Sequence, residues 1–143
     1  MQQQGTPTTE PSTGAGARLP HVRVFVVDDV EQLRVLARFQ LEEDPALRVV
    51  GEAADGAGAL AGIEEAQPDV VVLDLALPGL DGLELIPLIH ECSPTTRIVV
   101  FSGFGAERLE QPALERGACA YVEKGASPEV LRKKVRAAGA MDG

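Results

Sequence analysis

From residue 21 onward, apolar and polar positions follow two alternating patterns. Short apolar runs rich in β-branched residues, such as VRVFVV at 22–27, are typical of buried strands. Longer segments carry apolar residues at helical spacing, as Leu33, Leu36, Ala37 and Leu41 do after the first run. The pattern predicts strands at 22–27, 47–53, 69–74, 97–101 and 119–123, and helices at 30–44, 56–66, 83–92, 106–116 and 128–138.

Turn and capping residues mark the ends of several predicted helices. Pro68 ends the second helix, and Asp81 is typical of a residue that caps the start of the third. The sequence SPE at 127–129 predicts the start of the last helix, because it combines a capping hydroxyl, a proline at the first helical position and an acid near the positive end of the helix dipole. Pro87 and Pro112 fall inside predicted helices, which we expect them to kink or shorten.

Strands that alternate with helices predict an α/β fold, in which a parallel sheet is covered by helices on both faces. The first and third strands are the most apolar and should therefore lie at the centre of the sheet. In such sheets, functional groups collect outside the carboxyl ends of the strands. The groups predicted there are the carboxylates of Asp28, Asp29 and Asp74, the hydroxyl of Ser102 and the ammonium of Lys124.

The three carboxylates need positive charge nearby. Two carboxylates about 5 Å apart repel each other by roughly 3 kcal/mol at an effective dielectric constant near 20. Lys124 can supply one counter-charge, and a hard divalent cation bound through oxygen atoms can supply more.

Composition and charge narrow the class of protein. Of the 143 residues, 45% are hydrophobic, which is enough for one compact domain. Residues 1–20 are polar and rich in Gly and Pro, which predicts a flexible tail. The net charge of −9 falls on the rest of the chain, and this negative charge argues against nucleic-acid binding. Because the chain has neither a membrane-spanning stretch nor a secretory signal, we expect a cytoplasmic protein. In it, Cys92 and Cys119 should be buried, reduced thiols, and His21 and His90 should lie at the surface.

Four motifs at the ends of the predicted strands together resemble the receiver domain of two-component response regulators. They are VVDD (26–29), VVLDLALPGLDG (71–82), VVFSG (99–103) and AYVEKGAS (120–127). Any one of them alone is weak, but their order and spacing are highly specific. The ending EKGASPEVL is similar to receivers that precede a helix-turn-helix output domain.

The resemblance implies a flavodoxin-like, doubly wound (βα)5 fold with a five-stranded parallel sheet of order 2-1-3-4-5. It also implies a domain organisation: a flexible tail at 1–20, a receiver domain at 21–140, and a C-terminal end or the start of a linker at 141–143.

The resemblance further implies a signalling reaction. Asp74 would accept a phosphoryl group from a sensor histidine kinase or a phosphotransfer protein, and Lys124 and Ser102 would contact the phosphoryl oxygens. Tyr121 would change rotamer with Ser102, the alternative being a half-buried ring with a purely structural role. The rotamer change would alter a surface formed by helix 4, strand 5 and helix 5 where a homodimer or an output partner could dock. Such a domain assists its own phosphorylation and slow dephosphorylation but is not an enzyme.

A metal site is also implied. Asp29, Asp74 and the backbone carbonyl of Ala76 would bind Mg²⁺ (or Mn²⁺) directly, and Asp28 would act mainly through a metal-bound water.

Three other functions fit the sequence less well than a receiver does. A phosphatase of the haloacid dehalogenase type needs an acid two residues after its nucleophile, where this chain has Ala76. A dinucleotide-binding module needs its glycines at the strand-to-helix turn, whereas Gly56, Gly58 and Gly62 begin five residues after Gly51. A receiver that works without phosphorylation would lack an acidic, hydroxyl or lysine position, and none is lost here.

The chain departs from the family pattern at three positions. Gly125 stands where many receivers have a proline with a cis bond, and we expect a trans bond there because a cis bond before glycine costs roughly 2.5–4 kcal/mol. Ala76 and Phe104 replace residues that are often polar in receivers, which would change how fast the phosphoryl group is lost.

Overall fold

The computed structural model describes residues 21–103 and 107–141. The predicted tail (1–20), Phe104 and the last two residues lie outside these ranges. No helix within them is long and apolar enough to cross a membrane.

Five strands alternate with five helices in the described part of the chain. They are β1 (Val22–Val27), α1 (Glu31–Glu42), β2 (Leu47–Ala53), α2 (Gly56–Ala66), β3 (Val70–Leu73), α3 (Gly82–Cys92), β4 (Arg97–Ser102), α4 (Glu107–Glu115), β5 (Ala120–Glu123) and α5 (Pro128–Gly139). The strands lie in the order β2-β1-β3-β4-β5, and all neighbouring pairs are parallel. The predicted flavodoxin-like fold is confirmed, as are the inner positions of β1 and β3.

Two apolar cores, one on each face of the sheet, hold the helices in place. Alternate residues of the inner strands point to opposite faces, so Val71 and Leu73 pack with side chains of α2 and α3. Val70 and Val72 pack with side chains of α1 and α5. Each Val or Leu buried in this way stabilises the fold by roughly 1.5–3 kcal/mol, which explains why β3 contains no polar residue.

The caps of three helices agree only in part with the sequence predictions. The Asp81 carboxylate accepts a hydrogen bond from the Leu83 N–H at 2.9 Å, as expected of a cap. The Asp55 carboxylate caps α2 in the same way, which was not predicted. Ser127 does precede α5, but its hydroxyl makes no capping hydrogen bond, so that detail of the prediction is wrong.

The two internal prolines do not end their helices. Helix α3 runs through Pro87 to Cys92, and α4 runs through Pro112 to Glu115. Each proline gives up one backbone donor, and packing on the sheet maintains the helix beyond it. In α3 this packing includes Ile89, which is fully buried.

Several surface predictions need correction. Of the apolar residues that predicted α1, Leu33 and Leu36 remain 37% and 48% exposed and line a groove between α1 and α5. Cys92 and Cys119 are free but only half-buried. His90 is half-buried rather than exposed because the turn at Gly117 packs against its ring.

Candidate functional site

The parallel strands bring the predicted site residues to one edge of the sheet. Val27 of β1 lies beside Leu73 of β3, so the next residue of each strand, Asp28 and Asp74, also lie side by side. The Asp74 N–H donates to the Val27 carbonyl at 3.0 Å, which extends the pairing into the site. Asp28 and Asp74 are buried, with 4% and 5% exposure, whereas Asp29 is exposed.

Lys124 enters the site from the end of β5. Its N–H donates to the Ser102 carbonyl at 2.7 Å, which continues the β4–β5 pairing by one residue. Its ammonium lies 2.6 Å from the Asp28 carboxylate and 3.1 Å from the Asp74 carboxylate. The ammonium also lies 5.9 Å from the centre of the Phe101 ring, a distance at which a cation is attracted to the ring face.

Asp74 is held firmly at the start of its loop. Its carboxylate accepts a hydrogen bond from the Ala76 N–H at 3.0 Å. Gly82, at the start of α3, packs so closely behind this loop that a Cβ atom there would overlap the Leu75 backbone. Helix α3 therefore supports the loop that carries Asp74.

Burial and neighbouring charges act in opposite directions on Asp74 and Lys124. Burial raises the pKa of Asp74, although the Ala76 N–H and the Lys124 ammonium lower it; the net shift is upward. Burial alone lowers the pKa of Lys124, but its hydrogen bond to Asp28 and its attraction to Asp74 outweigh that effect, so this pKa is raised. Lys124 is therefore a permanent cation at neutral pH.

Asp28 is fixed on several sides by groups that the sequence reading did not identify. Its carboxylate accepts a hydrogen bond from the Val30 N–H at 2.9 Å, and its own N–H donates to the Ala53 carbonyl at 3.1 Å. Its backbone carbonyl accepts a hydrogen bond from the Arg34 guanidinium at 2.8 Å. In the sequence, the only sign of the Arg34 contact is its position, six residues after Asp28 and one helical turn into α1.

The three carboxylates form a site that suits a hard divalent cation. One oxygen atom from each of Asp28, Asp29 and Asp74 lies within 4.8 Å of the other two. All three ligands are oxygen atoms, the type that Mg²⁺ prefers. Lys124 supplies only one positive charge to three carboxylates, so the residues present fit such an ion.

Ser102 and Tyr121 lie on the neighbouring strands β4 and β5. Ser102 is the last residue of β4 and is 5% exposed. Tyr121 pairs in register with Val100 of β4, and its half-buried ring packs against the core formed with α2 and α3. Every predicted site residue therefore lies at or just beyond the carboxyl end of a strand, except Tyr121, which lies within β5.

A family model for the response regulator receiver domain matches residues 24–136. The nitrate/nitrite response regulator protein NarL of Escherichia coli is 38% identical over 117 residues, which cover 82% of this chain and 54% of NarL. A protein-glutamate methylesterase/protein-glutamine glutaminase of Koribacter versatilis is 42% identical over 108 residues, which cover 75% of this chain and 30% of that protein.

Solved structures agree with this result. The crystal structure of a two-component response regulator of the LuxR family from Aurantimonas sp. SI85-9A1 matches with a TM-score of 0.79 at 35% identity, and the match covers 84% of this chain and 86% of that chain. The chain spans about half the length of the first curated relatives it matches, 52% and 54%.

Proposed function

The chain belongs to the response regulator receiver domain family of two-component systems, and on that premise we propose that it is phosphorylated on Asp74 in the presence of Mg²⁺. The observation that carries this proposal is the position of the buried Asp74 carboxylate. It lies 3.1 Å from the Lys124 ammonium and within 4.8 Å of two further carboxylates. A nucleophile needs to be ionised, and the ammonium favours the ionised form of Asp74.

The proposed reaction is the transfer of a phosphoryl group to a carboxylate oxygen. That oxygen forms a bond to phosphorus while the bond from phosphorus to a histidine nitrogen of the donor breaks, and the electron pair of that bond stays on the nitrogen. Negative charge is spread over the three equatorial oxygens during this step. Lys124 and the Ser102 hydroxyl, at the ends of β5 and β4, are the groups that would neutralise this charge or donate hydrogen bonds to it.

The metal would be Mg²⁺ or Mn²⁺. Asp29, Asp74 and the Ala76 carbonyl would bind it directly, and Asp28, whose carboxylate already accepts hydrogen bonds from Val30 and Lys124, would act through a bound water. A metal ion held there supplies positive charge to the phosphoryl oxygens and also offsets the repulsion among the carboxylates.

We further propose that the domain, residues 21–140, works in the cytoplasm and receives its phosphoryl group from a sensor histidine kinase or a phosphotransfer protein. Phosphorylation adds about two negative charges beside β4. The Ser102 hydroxyl would move toward them, and the Tyr121 ring would move into the space that this hydroxyl leaves. The resulting change at α4, β5 and α5 would control a homodimer or an output partner, and the domain itself would remain a signalling module rather than an enzyme.

Intact mass spectrometry tests the chemical part of this proposal. With Mg²⁺ and acetyl phosphate or phosphoramidate, the wild-type protein should gain the mass of one phosphoryl group. Asp74→Asn should not gain it, because an amide cannot form the acyl phosphate, whereas Asp69→Asn, at the other end of β3, should gain it normally. Uptake by the Asp74 variant equal to that of wild type would exclude Asp74 as the acceptor.

A further inference from the structure

The Arg34 side chain connects the loop that carries the acids to the neighbouring strand. One nitrogen of its guanidinium donates to the Asp28 carbonyl at 2.8 Å, and another donates to the Glu52 carboxylate on β2 at 2.8 Å. The Arg34 side chain is 16% exposed and the Glu52 side chain 32% exposed, so the contact to the Asp28 carbonyl is the better shielded of the two. Arg34 therefore joins three elements, namely α1, β2 and the β1–α1 loop.

The contact to the Asp28 carbonyl helps to determine where the next residue lies. A peptide group is planar, so a fixed direction of the Asp28 carbonyl also fixes the position of the Asp29 Cα atom. Within the described residues, the Asp29 carboxylate makes no hydrogen bond of its own. This carboxylate therefore depends on the backbone, which Arg34 helps to hold, for its place beside Asp28 and Asp74.

The positive charge of Arg34 opposes metal binding at the carboxylates. Two atoms of one residue lie only a few ångströms apart, so a guanidinium bonded to the Asp28 carbonyl lies within one Debye length, about 8 Å at physiological salt, of the Asp28 carboxylate. A positive charge at that distance repels a metal cation. Glu52 offsets part of this repulsion, and Arg38 shares the same carboxylate at 3.3 Å.

We propose that Arg34 is a positioning residue for the metal site: by holding the Asp28 carbonyl, it directs the Asp29 carboxylate into the cluster and strengthens Mg²⁺ binding despite its own positive charge. The proposal rests on the proposed function, since it assumes that the carboxylates bind Mg²⁺. It makes a prediction opposite in sign to that of charge alone. If charge alone acted, removal of the guanidinium would tighten Mg²⁺ binding.

Mg²⁺ titration followed by amide chemical shifts in the full chain tests this. Arg34→Met keeps the length of the side chain but removes its donors, and its Mg²⁺ dissociation constant should rise about 10-fold, the lower end of the effect seen when groups that orient metal ligands are removed. Arg34→Lys keeps the charge, but one ammonium cannot replace the fork that reaches both Asp28 and Glu52, so its affinity should also fall. The matched control Arg38→Met removes a charge from the same Glu52 without a contact to Asp28, and its affinity should not fall.

A second measurement separates positioning from general damage to the fold. In Arg34→Met, the rate of phosphorylation by phosphoramidate should recover to the wild-type value at saturating Mg²⁺, because only metal affinity is impaired. Unchanged or tighter Mg²⁺ binding by Arg34→Met, or wild-type binding by Arg34→Lys, would overturn the role of Arg34. Failure of the wild-type protein itself to bind Mg²⁺ would instead overturn the metal site of the proposed function.

Discussion

Replacement of Lys124 by Met tests how the site is held together without a metal ion. The substitution removes the ammonium that lies 2.6 Å from Asp28 and 3.1 Å from Asp74, but it keeps an apolar chain of similar length beside Phe101. Two buried carboxylates then face each other with their closest oxygens no more than 4.8 Å apart. At an effective dielectric constant of 20, that distance corresponds to a repulsion of at least about 3.5 kcal/mol.

Mutational experience gives a similar magnitude. Removal of one partner from a buried ion pair typically costs about 3–5 kcal/mol, and the lower end applies here because the Lys124 side chain is 20% exposed. We therefore expect the free energy of unfolding of Lys124→Met to be about 3 kcal/mol lower than that of wild type in EDTA at neutral pH. The control Lys133→Met, at an exposed position of α5, should stay within about 0.5 kcal/mol.

Metal and pH should each reduce this loss. Mg²⁺ offsets the repulsion in place of the ammonium, so it should stabilise Lys124→Met more than wild type. The pKa of Asp74 is already raised, and it should rise further without Lys124. A carboxyl group whose folded-state pKa is raised stabilises the fold at low pH, and that contribution is lost as pH rises through the folded-state pKa. The difference in free energy of unfolding between Lys124→Met and wild type should therefore be greatest at neutral pH and disappear toward acid pH.

Urea denaturation followed by circular dichroism measures all of these quantities. Equal stability of Lys124→Met and wild type in EDTA would refute the reasoning that Lys124 offsets a repulsion between Asp28 and Asp74. An equal gain from Mg²⁺ in both proteins would refute the reasoning that the ammonium and the metal act on the same carboxylates.

Two further predictions concern the link between α1 and α5 and the switch. The pKa of Asp44 is lowered by a hydrogen bond from the Ala46 N–H and by Arg136, so its contribution to stability is present above the ordinary value of 3.8 and is lost as pH falls through the lower folded-state pKa. Asp44→Asn should thus be about 1 kcal/mol less stable at neutral pH, with no difference from wild type in strong acid; a constant difference across the urea titrations would contradict this. Ser102→Ala should still be phosphorylated, but beryllofluoride should change hydrogen exchange at 107–123 less than in wild type, and equal changes would show that the signal bypasses this hydroxyl.

Apolar character allowed the inner positions of β1 and β3 to be predicted from the sequence. VVVL in β3 has no polar face, so it can only be covered on both sides, and this placed Asp74 at the site edge of a central strand. The same logic predicted that Lys124, 50 residues away, would come close to Asp74, and their charged atoms lie 3.1 Å apart. Periodicity depends on the sum of many contacts and is therefore readable, whereas the full strand order came from the resemblance to receiver domains.

Individual side-chain contacts were not readable in the same way. Helical spacing identified the apolar residues of α1 but not how much of that face the sheet covers, and Leu33 and Leu36 therefore remain exposed. The sequence suggested a capping hydroxyl at Ser127, yet the cap makes no such bond. Arg34 resembled any surface arginine, because its two acceptors, a backbone carbonyl and Glu52, meet only in the folded sheet.

The order of residues along the chain has a consequence for how the molecule forms. Asp28 and Lys124 are separated by 96 positions, and synthesis from the N-terminus produces both buried acids long before the lysine. Until β5 joins the sheet, Asp28 and Asp74 lack the Lys124 ammonium that offsets their repulsion. The pairing of Lys124 with Asp28 closes a long stretch of chain, which has an entropic cost, and it completes the charge balance of the site. A nascent chain that stops short of residue 124 therefore cannot have a finished site.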